Sequence, residues 1–172
     1  MIIEIPSFSL ICLIGISGSG KTTFARRHFK ATEILSSDVF RALIADDEAN
    51  QSVSADAFSC LYFLAKKRLK HKRLTVIDST SVQVKARANL LRLAANYNCP
   101  AVAIVLDLPL ARCVKMNQKR PGRQTPPDVI AKQSSLLVKS LPRLATENFD
   151  QIYHLNSPKE ANEAQISRLP GP

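Results

Sequence analysis

Residues 15–22 read Gly-Ile-Ser-Gly-Ser-Gly-Lys-Thr, a complete G-x-x-x-x-G-K-[ST] run. It constrains the fold because it works chemically at only one kind of junction. The glycines let the backbone curl until several N–H groups face one oxyanion, and a helix starting directly behind adds the positive end of its dipole. The flanks meet that demand. Leu10 to Ile14 is an almost unbroken apolar run, as a central parallel strand buried on both faces requires, and Lys21 to about Phe29 reads as a short helix. Lys21 can then reach the β- and γ-phosphates of a nucleotide, and the Thr22 hydroxyl can serve Mg²⁺. Gly15, Ser17, Gly18, Ser19, Gly20, Lys21, Thr22 and Thr23 are the expected nucleotide-holding residues.

The rest of the chain repeats the alternation of apolar run and helical pattern, the signature of an α/β fold around a parallel sheet. Further strands are expected at Glu33 to Leu35, Leu74 to Asp78, Ala101 to Leu108 and Gln151 to Leu155, the last of these closing the sheet. Helices are expected at Asp38 to Ala45, about Ala55 to Lys72 with Ser54 as N-cap, about Val82 to Tyr97 with Ser81 as N-cap, from Pro109 to near Lys119, and about Asp128 to Ser140. A polar helix should follow Pro158. Between residues 116 and 127, Arg120 and Arg123 stand among chain breakers, which describes an ordered loop or mobile lid.

With 172 residues, 45% apolar and 22% charged, the chain should fold as one domain over 1–172. No apolar run approaches the roughly 20 residues of a bilayer span, so no membrane partner is expected and the reading is cytoplasmic. Cys12, Cys60, Cys99 and Cys113 have no metal-ligand spacing and read as reduced core thiols. His28, His71 and His154 lie in no candidate site. Subtracting 14 acids from 24 bases gives +10, which favours a polyanionic partner. The densest basic run, Lys66 to Arg73, already suits the end of a helix dipole, and with no Trp extensive base stacking is disfavoured.

Phosphoryl transfer needs a group to receive the acceptor's proton, and Asp38 and Asp78 both stand at the expected C-terminal edge of the sheet. One helical turn separates Asp38 from Arg41, so a carboxylate base and an anion-fixing arginine can share a cleft; Asp38 reads equally well as a helix N-cap. Asp78 ends a buried strand, where it can hold the Mg²⁺ shell or cap the next helix. Arg120 and Arg123 can close over the nucleotide phosphates.

These residues together resemble the kinase domain of bacterial polynucleotide kinase-phosphatase, the RNA end-healing enzyme, over nearly the whole chain. The resemblance rests on Leu13 to Ala25, Ile34-Leu-Ser-Ser-Asp38 with Arg41, Asp46-Asp-Glu48, Leu74 to Asp78, Arg120 with Arg123-Gln124, and Leu155 to Pro158. It implies an adenylate-kinase-like P-loop fold with about five parallel strands and a lid, and a kinase transferring the γ-phosphate of ATP or another NTP to a polynucleotide 5′-OH. It implies Asp38 as general base, Arg41 and Thr80 at the acceptor end, Lys21, Arg120 and Arg123 on the phosphates, and Thr22 and Asp78 at Mg²⁺. The implied partners are RNA or DNA with a 5′-OH end; a homodimer and phosphatase or ligase modules on the same or a partner chain are compatible with it.

Two positions depart from the family pattern. Met116 stands where a lid arginine aligns, so Lys115 or Lys119 substitutes, Arg120 and Arg123 suffice, or stabilisation of the transferring group is weaker. Ser81 replaces the Asn that often follows the Asp-x-Thr segment. The resulting expectation is an ATP- and Mg²⁺-dependent polynucleotide 5′-kinase. The alternatives are a small-molecule P-loop kinase and an ATP-gated nucleic-acid binding module.

Overall fold

The computed structural model describes residues 1–170, so the last two positions of the expected 1–172 domain lie outside the described residues. The chain begins with β1 (Ile2–Pro6), β2 (Leu10–Ile14), α1 (Lys21–His28), β3 (Ile34–Ser36), α2 (Ser37–Ala45), α3 (Ser54–Lys70) and β4 (Thr75–Asp78). It continues with α4 (Val84–Ala95), β5 (Ala101–Leu106), α5 (Leu110–Gln118), α6 (Pro127–Ser140), β6 (Gln151–Leu155), α7 (Pro158–Glu163) and β7 (Gln165–Leu169). Five strands form one parallel sheet in the order β3-β4-β2-β5-β6.

Side-chain alternation along the strands divides the core in two. Leu10, Cys12 and Ile14 of β2 point with Ala101, Ala103 and Val105 of β5 into a core shared with Leu61 and Leu69 of α3, Leu90 of α4, and Ile130 and Leu137 of α6. The intervening Ile11, Leu13, Val102, Ile104 and Leu106 face Phe24 and Ala25 of α1 and Ile3 and Ile5 of β1. Helices on both faces explain why the central strands carry apolar residues at every position. The consequence for function is that β2, β3 and β4 end at the same sheet edge, delivering residues 15–22, Asp38 and Asp78 to one place.

Several expectations are corrected. β6 is not the last strand: β7 pairs in parallel with β1, Ile3 opposite Ile166 and Ile5 opposite Arg168, as a separate two-stranded sheet. The helix after Pro158 is correspondingly short. Ser54 is the first residue of α3 rather than its cap, and Ser81 does not cap α4, which starts at Val84 behind Gln83. Ser81 instead has φ 47°, and its carbonyl accepts from Arg87. β5 stops at Leu106, since the chain must turn into Pro109. The loop expected over 116–127 is confined to 119–126, because α5 runs to Gln118 and α6 starts at Pro127. Cys60 is exposed on α3, whereas Cys12, Cys99 and Cys113 are buried; burial pushes the Cys12 thiol up to about 11 and Cys99 up to about 12. No helix of the described residues is long and apolar enough to cross a membrane.

Arg87, 0% exposed, locks the far side of this frame. Its guanidinium donates to both Glu147 carboxylate oxygens at 2.6 Å, to Ser81 O at 2.9 Å and to Ser140 Oγ at 3.2 Å, joining α4, the end of α6 and the segment after β4. A buried charge with all three guanidinium nitrogens engaged is costly to orphan. Glu147→Ala should therefore destabilise the fold by about 3–5 kcal/mol in denaturant titration, and Arg87→Met with Glu147→Leu should recover much of that loss.

Candidate active site

The loop after β2 wraps tightly because its glycines are needed. Gly18 has φ 80°, and a Cβ there would lie 2.1 Å from the Cys113 carbonyl oxygen on α5; Gly20, at φ 93°, opens α1 from the left-handed region. Gly15 and Ser19 stand behind the cleft: the Gly15 N–H donates to Thr80 O at 3.0 Å, and the buried Ser19 Oγ lies 3.5 Å from Lys21 Nζ. Ser17, Gly18, Gly20, Lys21, Thr22 and Thr23 line a cleft of about 670 Å³. Asp38, Arg41, Asp78, Thr80, Arg120 and Arg123 line the same cleft.

Lys21 donates from Nζ to Ile16 O at 2.8 Å, which aims the ammonium back along the loop. Burial pushes it down to about 8, while the Asp78 carboxylate pulls the other way. Asp78, 4% exposed, is pushed up by its own burial and pulled back first by Lys21 and then by the Thr22 hydroxyl, which donates to Asp78 Oδ2 at 2.8 Å. Asp78 is thus no helix cap. A hydroxyl and a carboxylate this close are hard oxygen donors that fit Mg²⁺, which keeps much of its shell for water and phosphate oxygens. Among the described residues no group of three or more His, Cys, Asp or Glu forms a metal cluster.

Asp38 is the second residue of α2, so it is no N-cap either. Its carboxylate is the hub of an ion cluster. Oδ1 accepts from Arg41 and from Arg123, and Oδ2 accepts from Arg120 Nη2 at 3.1 Å. Glu48 completes the ring: its carbonyl accepts from Arg41 Nε at 2.8 Å, and its Oε1 accepts from Arg120 Nη2 and from the Arg123 backbone N–H, both at 3.3 Å. Three guanidiniums against two carboxylates leave one positive charge in surplus. Burial lowers the Arg41 pKa and Asp38 opposes that shift.

Met116 lines the cleft from α5, 44% exposed and without charge. Lys119 also lines it; Lys115 is not among the lining residues. Three contributors were not legible in sequence. Gln133 on α6 accepts the Ser17 N–H at 2.8 Å, Asn117 pins the lid's end through Thr125 O at 2.8 Å and Thr125 N–H at 3.1 Å, and Arg26 adds a cation from α1. No local signal marks them: Gln133 and Asn117 bond to other segments, and Arg26, five residues after Lys21, does not share its face of α1. A second cavity, about 680 Å³, lies at the N-terminal end of β5 and holds none of the expected site residues.

The sequence matches the AAA domain family over residues 10–143. No curated protein sequence matches significantly. Among solved structures, a chain of the Pnkp1/Rnl/Hen1 RNA repair complex superimposes with TM-score 0.70 at 24% identity, covering 83% of this chain and 47% of that one, so this chain spans about half its length. The Mycobacterium tuberculosis APS kinase CysC, in complex with AMPPNP and APS, gives TM-score 0.57 at 18% identity over 92% and 96% of the two chains. A gluconokinase from Sinorhizobium meliloti 1021 gives 0.56 at 16% over 91% of each. The shared fold is that of P-loop kinases, two of which act on small molecules.

The shifted lysine has a measurable consequence. Its pKa is near 8 in the fold and 10.5 in a free side chain, so between those values the unfolded chain binds more protons and stability rises with pH. Melting temperatures of the ligand-free protein should therefore climb from about pH 8 towards 10 relative to Lys21→Met. Affinity for ATP, which favours the ammonium, should fall over the same range.

Proposed function

The chain belongs to the AAA domain family, and within that P-loop kinase frame we propose that it is an ATP- and Mg²⁺-dependent polynucleotide 5′-kinase. The observation that carries the reading is the three-arginine cluster on Asp38, in one cleft with Lys21 and the Thr22–Asp78 pair. Lys21 and the backbone N–H groups of the loop hold the β- and γ-phosphates. Thr22 and Asp78 would hold Mg²⁺, which supplies neutralisation of the phosphate charge. Arg120 and Arg123 exchange Asp38 for the γ-phosphate as the lid engages the nucleotide, which frees a carboxylate oxygen. Asp38 then takes the proton of the acceptor hydroxyl, the hydroxyl oxygen bonds to the γ-phosphorus, and the bond to the β-phosphate oxygen breaks to release ADP. Arg41, held by Glu48 O, stays at Asp38 to fix the acceptor's end. Thr80 is assigned to the acceptor wall of the cleft.

Arg120 and Arg123 suffice for the lid in this reading, with Met116 leaving a neutral gap between them and α5. The net charge of +10 and the likeness to a chain of an RNA repair complex support a nucleic-acid acceptor. A second reading, a small-molecule kinase, draws on the nearly end-to-end superposition with APS kinase and gluconokinase.

Radiolabelled transfer from γ-labelled ATP separates the two. A 5′-OH oligonucleotide should be labelled, with adenosine 5′-phosphosulfate and gluconate left unlabelled, and Asp38→Ala should lower kcat by about 10²–10⁴ with ATP affinity retained. Labelling of a small acceptor alone would replace the proposal with the second reading.

A further inference from the structure

The α3 helix starts at the cleft, where Ser54 and Phe58 are lining residues on the side of the buried Leu61 and Ala65, and ends at Lys70; an acceptor leaving the cleft would cross the first turns of the helix to reach its outer face. Its 17 residues span about 25 Å. Along its outer face Phe63, Lys66, Lys67 and Lys70 fall at i, i+3, i+4 and i+7, so they form one stripe, and all four are exposed. The helix dipole accounts for cations in the last turn. It does not account for a phenylalanine that is 62% exposed, with the Lys67 ammonium 5.0 Å from its ring centroid. The only acid on the helix is Asp56, in the first turn. Past the helix end, the exposed Lys30, Lys72 and Arg73 rim a concavity of about 410 Å³, which extends the cationic surface.

We propose that this face of α3 is the track for the body of a single-stranded acceptor, with Phe63 as a stacking platform for one base and the lysines on successive phosphates. The inference rests on the polynucleotide reading and adds a site to it. An exposed aromatic beside a row of cations is the pairing that holds single strands without reading their sequence: a base has a π-face for the ring, and its phosphates lie within reach of the ammoniums. A neutral small acceptor needs none of it. The roughly 25 Å from the cleft to Lys70 spans several nucleotides of a single strand. Acceptor length therefore becomes a determinant of efficiency.

The test measures kcat/KM for 5′-OH single strands from about three to about 20 nucleotides, with fluorescence anisotropy on the longest. For the native chain, kcat/KM should rise with length and level off once the strand is long enough to reach Lys70. Lys66→Glu with Lys67→Glu and Lys70→Glu should weaken binding of the long strand and flatten its log affinity against log salt by about two, leaving transfer to the trinucleotide and the KM for ATP unchanged. Phe63→Ala should weaken the long strand about tenfold at any salt concentration. Equal efficiency at all lengths, or variants indistinguishable from the native chain on the long strand, would overturn the track while leaving the kinase reading intact. Absence of transfer to any strand would remove the polynucleotide reading and the track with it.

Discussion

Everything at the cleft depends on one carboxylate being shared by three guanidiniums. Asp38 and Arg41 are local to α2, but Arg120 and Arg123 come from a loop more than 80 residues away, so the ion cluster ties the lid to the sheet edge. Glu48 strengthens the tie from a third segment. The cluster is partly buried, where water screens charge less than at an open surface, so its electrostatics carry weight that exposed pairs lack. Its surplus positive charge lines the same cleft as Lys21, an electrostatic environment that suits an anion.

That arrangement is compatible with the fold because a parallel sheet gathers its strand ends. β2, β3 and β4 need only their hydrophobic register to place the Lys21 loop, Asp38 and Asp78 side by side. The acceptor is not fixed by the fold, since kinases of sulfated nucleotide and sugar acid share it. Around that frame this chain carries the Asp38 cluster, the neutral Met116 and the basic outer face of α3.

Sequence periodicity made the sheet legible where a strand was buried on both faces. β2 and β4 end where the buried runs were expected to end, and the G-x-x-x-x-G-K-T run identifies its own junction. Asp38 and Arg41 were legible as a pair because a helix makes them neighbours at i, i+3. The missed features are long-range. β1 and β7 stabilise each other across the length of the chain, and neither alone is a strong strand signal, although Ile3 and Ile5 alternate as one buried face. Gln133, Asn117 and Arg87 look like surface residues on helices until their partners at Ser17, Thr125 and Glu147 are known. Ser81 misled because a serine ahead of an apolar helix usually caps it, whereas here its left-handed backbone serves Arg87.

The most direct test of this account is a crystal structure of the protein with a non-hydrolysable ATP analogue, Mg²⁺ and a 5′-OH oligonucleotide. Arg120 and Arg123 should lie on the γ-phosphate, Arg41 should remain at Asp38, and an Asp38 carboxylate oxygen should lie within hydrogen-bond distance of the 5′-oxygen, about 2.6–3.2 Å. An Asp38 still held by both lid arginines, with the 5′-oxygen beside another residue, would contradict it.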